Sequence, residues 1–468
     1  MKKDIEVSIN PIEFSKKLSI CSSGEIVASK DKKYLLVNLP ELCEKEQNIF
    51  QESFKELKQS TKKIENKSDI YFFLKSYCLD NLILLNKEQR EKILYWLEIE
   101  SLNESILTPL LVDPDFEEIV INGPNKPIMV YHRTFGWLIT NTQFNSDNKI
   151  KNIINKMAAP LGRQLTFHTP LLNAVLKNGS RLNASANPIA FSGINCTIRK
   201  FKENPLTPID IVYSNTISKE VMSFLWLAMQ TNSSILVCGN TGSGKTTTLN
   251  SLFCFLPKEE RIIVVEETPE LVLPQNHKIK LNTCDQLEIS LEKLIENTFR
   301  MRPDRVIVGE IRTKQEANAF INTMLAGQAR GSYATFHAES ASEAIQRLKT
   351  FGIEENSLGC LDLIIVQKRI NKIDKKTKTR KEERKVIEVC EVIKSGKEIT
   401  LNQLFEYNFE KNKLVKKNEG KKIIDKIKKT FSVNEKEIKK MLKEKEKLIE
   451  KLYGKVNFQE FFELAEQE

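Results

Sequence analysis

The spacing of hydrophobic positions changes along the chain, and these changes predict which segments are strands and which are helices. In the first 105 residues, short apolar segments alternate with polar ones, and Ile49, Phe50, Phe54 and Leu57 recur at the spacing of one helix face. This pattern predicts a small α/β region with short strands at GEIVAS and KYLLVNLP. The sequence of this region contains no motif that points to a chemistry.

From Asp113 to Phe201 the pattern is dominated by strands. EEIVING, PIMVYHRTFGWLIT and GINCTIRKF are apolar segments bounded by Gly, Asn and Pro, and the segment KIKNIINKMAAPLG has helical spacing. These features predict a small α/β domain that ends near Phe201. The next segment, KENPLTPIDIVYSNT, has two prolines and little periodicity, which is typical of a linker and favours a hinge.

After Ser218 the pattern alternates between apolar strands and amphipathic helices. Ser218 is a suitable cap for a helix that runs through Met222, Leu225 and Ala228. The predicted strands that follow are SSILVCG, RIIVVEE, KIKLN, DRVIVGE, GSYATFHA and DLIIVQKRI. Helical segments separate them, and this alternation predicts a mostly parallel sheet with helices on both faces.

Beyond Asn371 the chain becomes rich in lysine. NKIDKKTKTRKEERK is predicted to interrupt the sheet, VIEVCEVI and EITLNQLFEYNF give two more strands, and the last fifty residues have helical spacing. Ile438, Leu442, Leu448, Ile449 and Leu452 form an apolar stripe opposite a charged face. We interpret this helix as docked on its own domain in preference to a membrane or partner contact.

The length of the chain and its pattern of hydrophobic and polar residues together predict three domains, a linker and a C-terminal extension. The chain has 468 residues, of which 40% are hydrophobic, so it is long enough for several cores. The predicted divisions are an accessory α/β region at 1–104, a second α/β domain at 105–201, a linker at 202–215, a sheet domain at 216–410 and a lysine-rich helical extension at 411–468.

The cysteines and the net charge limit where the protein can be located and which partners it can bind. The nine cysteines are scattered and contain no CxxC pair, which fits a reducing compartment without a disulfide framework or zinc ribbon. No apolar run approaches the roughly 20 residues that span a bilayer, so we expect neither a secreted nor an integral membrane protein. The net charge of +10 fits an anionic partner such as nucleic acid or a lipid surface, although a lysine-rich genome gives the same value.

The segment GNTGSGKTT carries the strongest chemical signal. It matches the GxxxxGK[ST] pattern, with an apolar strand before it and a helical segment after it, which is the context of a Walker A phosphate-binding loop. Lys245 is expected to reach the β- and γ-phosphates of a nucleoside triphosphate, and the Thr246 hydroxyl to bind Mg²⁺. The predicted binding residues are Gly239, Asn240, Thr241, Gly242, Ser243, Gly244, Lys245, Thr246 and Thr247.

Two later strands end in carboxylates. IIVVEETPEL ends in Glu266 and Glu267, and we expect these residues beside the phosphate loop, on the neighbouring strand, where an acid can orient or deprotonate water. RVIVGEIR ends in Gly309 and Glu310, the form of a Walker B element. Glu310 is expected to hold Mg²⁺ directly or through water, with Gly309 keeping the approach open.

A histidine and two arginines complete the candidate site. His337 ends the strand in GSYATFHAES, where an imidazole can sense a terminal phosphate, although a lone histidine more often has a structural role. Arg181 in NGSRLNA and Arg199 in CTIRKF lie upstream of the sheet domain. Arginines from another domain can stabilise charge during phosphoryl transfer, but spacing alone favours surface salt bridges for them.

Taken in order, these motifs resemble those of a known superfamily. GNTGSGKTT, VEETPEL, RMRPDRVIVGEIR and ATFHAES look like the Walker A, Asp box, Walker B and His box of the type II/type IV secretion ATPases. Those proteins are the hexameric motors of secretion systems, type IV pili and archaella. The upstream segments around NGSRLNA and CTIRKF are similar to the superfamily's N-terminal domain and linker, closest to its archaeal branch.

The resemblance implies a fold and roles for individual residues. It implies an α/β protein with an N-terminal PAS-like domain, a linker, a RecA-like P-loop domain with a mostly parallel sheet, and C-terminal helices. Glu266 matches the catalytic glutamate, Glu310 the Walker B acid and His337 the His-box histidine. Arg181 and Arg199 match arginines that the N-terminal domain brings to the phosphates.

The resemblance also implies partners and a location. It implies hydrolysis of ATP with Mg²⁺ in a homo-hexamer that acts on an integral membrane platform protein from the cytoplasmic side, at the inner face of the membrane. The chain departs from the superfamily pattern in two places. Glu267 stands where an aspartate is usual, and His337 follows Gly327 by ten positions, more than in many members. It also has no tetracysteine zinc element, unlike the bacterial type II motors that carry one.

Two other classes of function remain open from the residues. A RecA-like nucleic-acid translocase would use the same loop, but the excess lysine lies near the C-terminus and no aromatic and basic groove is apparent, so we expect no direct nucleic-acid binding. A scaffold that binds nucleotide without hydrolysing it is disfavoured by the acids Glu266 and Glu310. Hydrolysis stimulated by nucleic acid would indicate a translocase. A basal ATPase assay would distinguish a scaffold from a secretion motor.

Overall fold

The computed structural model describes residues 7–29, 32–60, 64–201, 205–284, 287–327, 329–373, 380–396 and 398–467. The chain forms two compact units, Met1–Phe201 and Lys202–Glu468, and each is considered by itself. The first residues of the predicted linker, 202–204, lie outside the described residues, as does residue 328 of the segment before His337.

Among its described residues, the first unit is a sheet with five α-helices. Its strands are β1 (Val7–Ile9), β2 (Lys16–Cys21), β3 (Gly24–Ser29), β4 (Lys32–Val37), β5 (Phe116–Ile121), β6 (Lys126–His132), β7 (Gly136–Phe144), β8 (Leu171–Val175), β9 (Arg181–Ser185) and β10 (Asn195–Arg199). Its helices are α1 (Glu44–Gln59), α2 (Lys67–Asp80), α3 (Lys87–Ser101), α4 (Thr108–Val112) and α5 (Asp147–Ala158).

The strands of this unit form one ten-stranded sheet. The order is β2-β3-β4-β7-β6-β5-β10-β9-β8, and β1 pairs with β7. Because β4 pairs with β7 in parallel while β1 pairs with it antiparallel, strands from both sides of the boundary predicted after residue 104 share one sheet. The apolar side chains of the sheet pack on α5 and on the segment that contains α4, and a smaller core joins α1, α2 and α3.

The second unit contains nine strands and nine helices among its described residues. The strands are β11 (Ile235–Gly239), β12 (Ile262–Glu266), β13 (Lys278–Asn282), β14 (Arg305–Ile311), β15 (Gly331–Phe336), β16 (Leu363–Ile373), β17 (Arg380–Ser395), β18 (Glu398–Asn408) and β19 (Lys413–Lys416). The helices are α6 (Pro208–Tyr213), α7 (Lys219–Gln230), α8 (Lys245–Leu252), α9 (Leu291–Thr298), α10 (Lys314–Leu325), α11 (Ala341–Thr350), α12 (Lys421–Phe431), α13 (Glu435–Lys451) and α14 (Phe458–Ala465).

The sheet of the second unit runs in the order β13-β12-β14-β15-β11-β16-β17-β18-β19. The first six strands are parallel and the last three are antiparallel, so the predicted mostly parallel sheet is confirmed. One expectation was wrong. The strand that ends in Glu266 is not the neighbour of the strand before the phosphate loop, because β14 and β15 lie between them. Consecutive strand–helix units need not be adjacent in a doubly wound sheet.

Alternate residues of the parallel strands enter two separate cores. Ile235 and Val237 of β11 contribute to a core with α7, α8 and the C-terminal helices, whereas Leu236 and Cys238 face a core with α9, α10 and α11. This arrangement confirms helices on both faces and explains why these strands are apolar at every position. Ser218 caps α7 as predicted, its side chain accepting a hydrogen bond from the backbone N–H of Val221.

The lysine-rich segment differs from expectation, and part of the predicted linker is helical. Residues 371–373 and 380–385 do not interrupt the sheet but extend β16 and β17 as a paired hairpin, and residues 374–379 lie outside the described residues. The segment 208–213 forms α6, whose Ile209 and Ile211 are buried in the core of the second unit. Ile209 and Ile211 of this segment thus contribute to a core, and the hinge about 202–215 stays a prediction.

The C-terminal helices pack on the unit to which they belong. Ile438 and Ile449 of α13 are buried in the same core as α7, which confirms the interpretation of the amphipathic stripe. Phe461 of α14 packs edge-on against Trp226 at 5.7 Å between ring centres. Within the described part of the chain, no helix is both long and apolar enough to cross a membrane.

Candidate functional site

The segment GNTGSGKTT forms a loop between β11 and α8. Gly244 caps α8 with φ of +93°, a left-handed conformation that side chains disfavour. At Gly239 a methyl group would lie 2.1 Å from the backbone oxygen of Gln367, so the loop begins where only glycine fits. The backbone therefore turns sharply from a buried strand into the first turn of a helix.

Gln367 holds this loop from the neighbouring strand β16. Its amide nitrogen donates to the Ser243 backbone oxygen at 2.8 Å, and its amide oxygen accepts from the Thr248 hydroxyl at 2.6 Å. The side chain is 1% exposed, so both hydrogen bonds are shielded from water. The sequence reasoning did not identify Gln367, although a glutamine inside the apolar run LIIVQ is the kind of signal that marks a buried polar contact.

Lys245, Glu310 and His337 meet at the carboxyl edge of the parallel strands. Glu310 Oε1 lies 3.8 Å from Lys245 Nζ and 2.9 Å from His337 Nε2. The structure therefore brings together the lysine of the loop, the acid that ends a strand and the histidine that follows another.

Their protonation follows from burial and charge. Burial lowers the pKa of Lys245, although Glu310 opposes the shift. Burial also lowers the pKa of His337, and the charge on Lys245 lowers it further, so the neutral ring donates from Nε2 to Glu310. Burial acts to raise the pKa of Glu310, but the hydrogen bond and charge of Arg312 outweigh it and keep that pKa below its usual value. Glu310 is therefore an anion, as a ligand of a cation must be.

Arg312 connects Glu310 with Glu267. Its Nε donates to Glu310 Oε2 at 2.7 Å, and its guanidinium forms an ion pair with the Glu267 carboxylate. Glu267 is more than half exposed, whereas the preceding Glu266 is buried. The sequence reasoning did not identify Arg312.

Glu266 is buried and only half of its carboxylate is satisfied. Oε1 accepts from the backbone N–H groups of Glu270 at 2.9 Å and Leu271 at 3.0 Å. Oε2 has no hydrogen-bond partner among the described residues. Burial raises the pKa of Glu266 to about 7, although the two backbone hydrogen bonds oppose the shift. A carboxylate with one open oxygen and a pKa near neutrality is suited to accept a proton from water.

Gly309 accommodates the Glu266 side chain. A methyl group on Gly309 would lie 3.1 Å from Cγ of Glu266, tighter than ordinary van der Waals contact. This glycine was predicted to keep the approach to a metal open. In the structure it leaves room for the acid of the adjacent strand, β12.

The residues present fit a phosphate and its cation. Among the described residues, the buried Asn240 Oδ1 and Ser243 Oγ of the loop lack a hydrogen-bond partner, as does Glu266 Oε2. Lys245 is 7% exposed, and its Nζ donates a long hydrogen bond of 3.3 Å to the backbone oxygen of Asn240. Loop amides and Lys245 would hold the phosphates, and the Thr246 hydroxyl and Glu310 would hold Mg²⁺.

The two upstream arginines lie side by side in the first unit. Arg181 on β9 and Arg199 on β10 are direct cross-strand partners in the antiparallel register, so their side chains project from the same face. Arg199 is exposed and Arg181 is half-buried. The structure thus brings together this pair, whose relation to the phosphate loop of the second unit stays a prediction.

Comparison with known proteins now places the chain in a family. Residues 100–454 match the family described as Type II/IV secretion system protein, and because this match spans most of the chain, the protein belongs to that family. The family agrees with the resemblance inferred from the four ordered motifs.

Individual relatives come from an archaeon and a bacterium. The chain is similar to an uncharacterized protein of Methanocaldococcus jannaschii, 40% identical over 228 residues that cover 46% of this chain and 31% of that protein. It is also similar to the type IV secretion system protein VirB11 of Bartonella henselae, 27% identical over 294 residues that cover 55% of this chain and 82% of that protein. The match thus spans about a third of the length of the archaeal relative.

Among solved structures, the chain is similar to the X-ray structure of the Yersinia pseudotuberculosis ATPase DotB. The identity is 17%, the TM-score is 0.45, and the match covers 78% of this chain and 92% of that one.

Proposed function

We propose that this chain is the ATP-hydrolysing motor of a type II/IV secretion system or of a related pilus-like or archaellum-like machine. The observation that carries the proposal is the meeting of Lys245, Glu310 and His337 beside a glycine-rich loop, in a chain that belongs to the secretion family. Such an arrangement is suited to phosphoryl transfer, in which catalysis rests on positioning and on charge stabilisation.

Each residue has a distinct part in the proposed reaction. The loop amides and Lys245 bind the β- and γ-phosphates of ATP, while Thr246 and Glu310 hold the Mg²⁺ that neutralises phosphate charge. Glu266 takes a proton from the attacking water through Oε2, the oxygen that is left open. His337, hydrogen-bonded to Glu310, links the terminal phosphate to the acid that holds the cation.

The larger assembly is part of the same proposal. Arg181 and Arg199 stabilise charge on the transferring phosphate when the domains close about the segment 202–215, and the closure pushes on an integral membrane platform protein. The motor is a homo-hexamer that works at the cytoplasmic face of the membrane without binding nucleic acid. VirB11, to which the chain is similar, is by name a protein of a type IV secretion system, which supports this class of assembly.

A lysine substitution tests the site. In the purified full chain, Lys245→Ala should abolish phosphate release from ATP, because the phosphates lose their buried cation. Lys258→Ala is the matched control, since Lys258 is an exposed lysine of the same unit with a surface glutamate as its partner. Turnover retained by Lys245→Ala would refute the site. Absence of turnover in the wild-type chain, with nucleotide binding intact, would favour a scaffold.

A further inference from the structure

The β16–β17 hairpin extends past the edge of the sheet at which the phosphate loop lies. β11 ends at Gly239, which pairs with Gln367 of β16, whereas β16 continues through Ile373. These six further residues extend about 20 Å beyond the end of β11. The hairpin therefore continues past the point at which the phosphate loop begins.

The pairing register puts three charged side chains on the hairpin face that Gln367 also occupies. Arg369 is opposite Arg384, and Asn371 is opposite Glu382. Residues two apart on one strand, and direct partners across two strands, project from the same face. Because Gln367 on this face contacts Ser243, the face is the one turned toward the phosphate loop.

Both arginines reach the loop. Arg384 Nε donates to the backbone oxygen of Gly242 at 3.0 Å, and its Cδ would lie 3.3 Å from a methyl group placed on Gly244. A terminal nitrogen of Arg369 would lie 3.2 Å from a methyl group on Gly242. Two guanidiniums thus border the glycines whose amides are expected to cradle phosphate.

Among the described residues, the charges of this cluster do not balance. Glu382 is shared, forming an ion pair with Arg369 and lying 3.9 Å from a terminal nitrogen of Arg384. Like charges directly opposite on two strands destabilise the pairing, and a single carboxylate neutralises only one of them. The side chains of Arg369 and Arg384 are 44% and 53% exposed, so both are accessible from solvent.

From this geometry we propose that Arg369 and Arg384 bind the phosphates of the nucleotide from the open side of the loop, and that Glu382 holds them when no phosphate is bound. The inference rests on the proposed function and adds two phosphate-binding residues to it from the same chain. A guanidinium presents five N–H donors and pairs with phosphate in a bidentate manner. A bound polyphosphate supplies the negative charge that the cluster lacks and displaces the glutamate.

Nucleotide affinity measured without hydrolysis tests this proposal. ATP and ADP are titrated calorimetrically into the full chain in EDTA, which removes Mg²⁺. Arg369→Ala and Arg384→Ala should each weaken ATP binding about tenfold, the effect of one charge-assisted contact. ADP binding should fall less, because ADP has one phosphate fewer for the arginines to reach.

Glu382→Ala distinguishes phosphate binding from a supporting role. If the arginines bind phosphate, removing the competing carboxylate leaves ATP affinity unchanged or increases it. If the hairpin only supports the loop, Glu382→Ala weakens binding as the arginine variants do, and the proposal is wrong. Arg330→Ala is the matched control, because Arg330 is a 60% exposed arginine paired with acids. It lies at the start of β15, at the end of the parallel strands opposite to the phosphate loop.

Two further comparisons separate the possible failures. Thermal unfolding of each variant checks folding, and Arg384→Gln replaces Arg384→Ala if the latter is unstable. Arginine variants that bind ATP as tightly as the wild-type chain would overturn the inference while leaving the proposed function intact. Failure of the wild-type chain to bind ATP, or normal binding by Lys245→Ala, would instead overturn the proposed function.

Discussion

At the scale of single residues, Glu266 combines burial with an unsatisfied oxygen. Two backbone N–H groups bind Oε1, and Oε2 is buried without a partner among the described residues. With its pKa raised to about 7, this carboxyl is close to half ionised at neutral pH. An uncompensated buried acid destabilises the protein that contains it. Glu266 is therefore better explained by a role in function than by a role in stability.

Glu266→Gln should separate binding from turnover. Nucleotide affinity should stay near the wild-type value, because Glu266 has no part in holding phosphate, whereas turnover should fall at least about a hundredfold with the loss of the base. Wild-type turnover should rise between pH 6 and pH 8 as the carboxyl ionises, and this rise should vanish in the variant. Complete loss of nucleotide binding would show that Glu266 is structural.

Glu266→Gln should also change how the free energy of unfolding depends on pH. The folded pKa exceeds the unfolded value, so the wild-type chain is stabilised below pH 4.5 and loses that stability as pH rises to about 7, by about 3 kcal/mol. In urea unfolding without nucleotide, Glu266→Gln should therefore gain stability relative to the wild-type chain as pH rises from 5 to 8. A difference independent of pH would contradict the raised pKa.

The sequence predicts where a candidate site residue lies when the signal is local. Lys245 and Thr246 follow from one continuous motif, and Glu310 and His337 from strand ends whose edge is fixed by parallel pairing. Arg312 was missed because its contacts join two strand ends that only the strand order brings together. The partner of Gly309, Glu266, was missed for the same reason.

At the scale of elements, the phosphate loop depends on a strand that is distant in sequence. β16 pairs with β11 in parallel, and Gln367 joins the loop to the start of α8 through Ser243 and Thr248. More than a hundred residues separate Gln367 from these partners, so no local pattern in the sequence predicts the contact. The long hairpin was also missed, because its lysines and glutamates are typical of a loop.

Gln367→Ala should therefore impair the loop as well as the fold. Removing the amide leaves the Ser243 oxygen and the Thr248 hydroxyl unpaired in the interior, at a cost of about 2–3 kcal/mol. Nucleotide affinity should fall more than about tenfold, because the loop amides are no longer held in register. Calorimetric titration with ATP and chemical unfolding measure the two effects.

Gln275→Ala is the control for this prediction. Gln275 is equally buried, but its amide donates to the backbone oxygens of Phe253 and Leu256, beyond the end of α8 that is distant from the loop. It should cost similar stability without changing nucleotide affinity. Equal affinity losses in both variants would mean that general destabilisation, and not the loop contact, weakens binding.

At the scale of the whole molecule, the proposed chemistry is divided between two compact units. The loop and its acids belong to the second unit, and Arg181 and Arg199 belong to the first. Arg181 and Arg199 are direct cross-strand partners, so their guanidiniums lie on the same face of the sheet. If Arg181 and Arg199 act on the phosphate as proposed, turnover depends on residues of both units.

Arg199→Ala should lower turnover about a hundredfold or more while changing the unfolding free energy by less than about 0.5 kcal/mol. Arg133→Ala, at another arginine of the first unit with a glutamate partner, should leave turnover unchanged. If closure within one chain delivers Arg199, mixing Arg199→Ala with Lys245→Ala chains restores nothing, because no chain has an intact site. Recovery of activity on mixing would show that the arginine acts on a neighbouring subunit, and normal turnover by Arg199→Ala alone would refute its role.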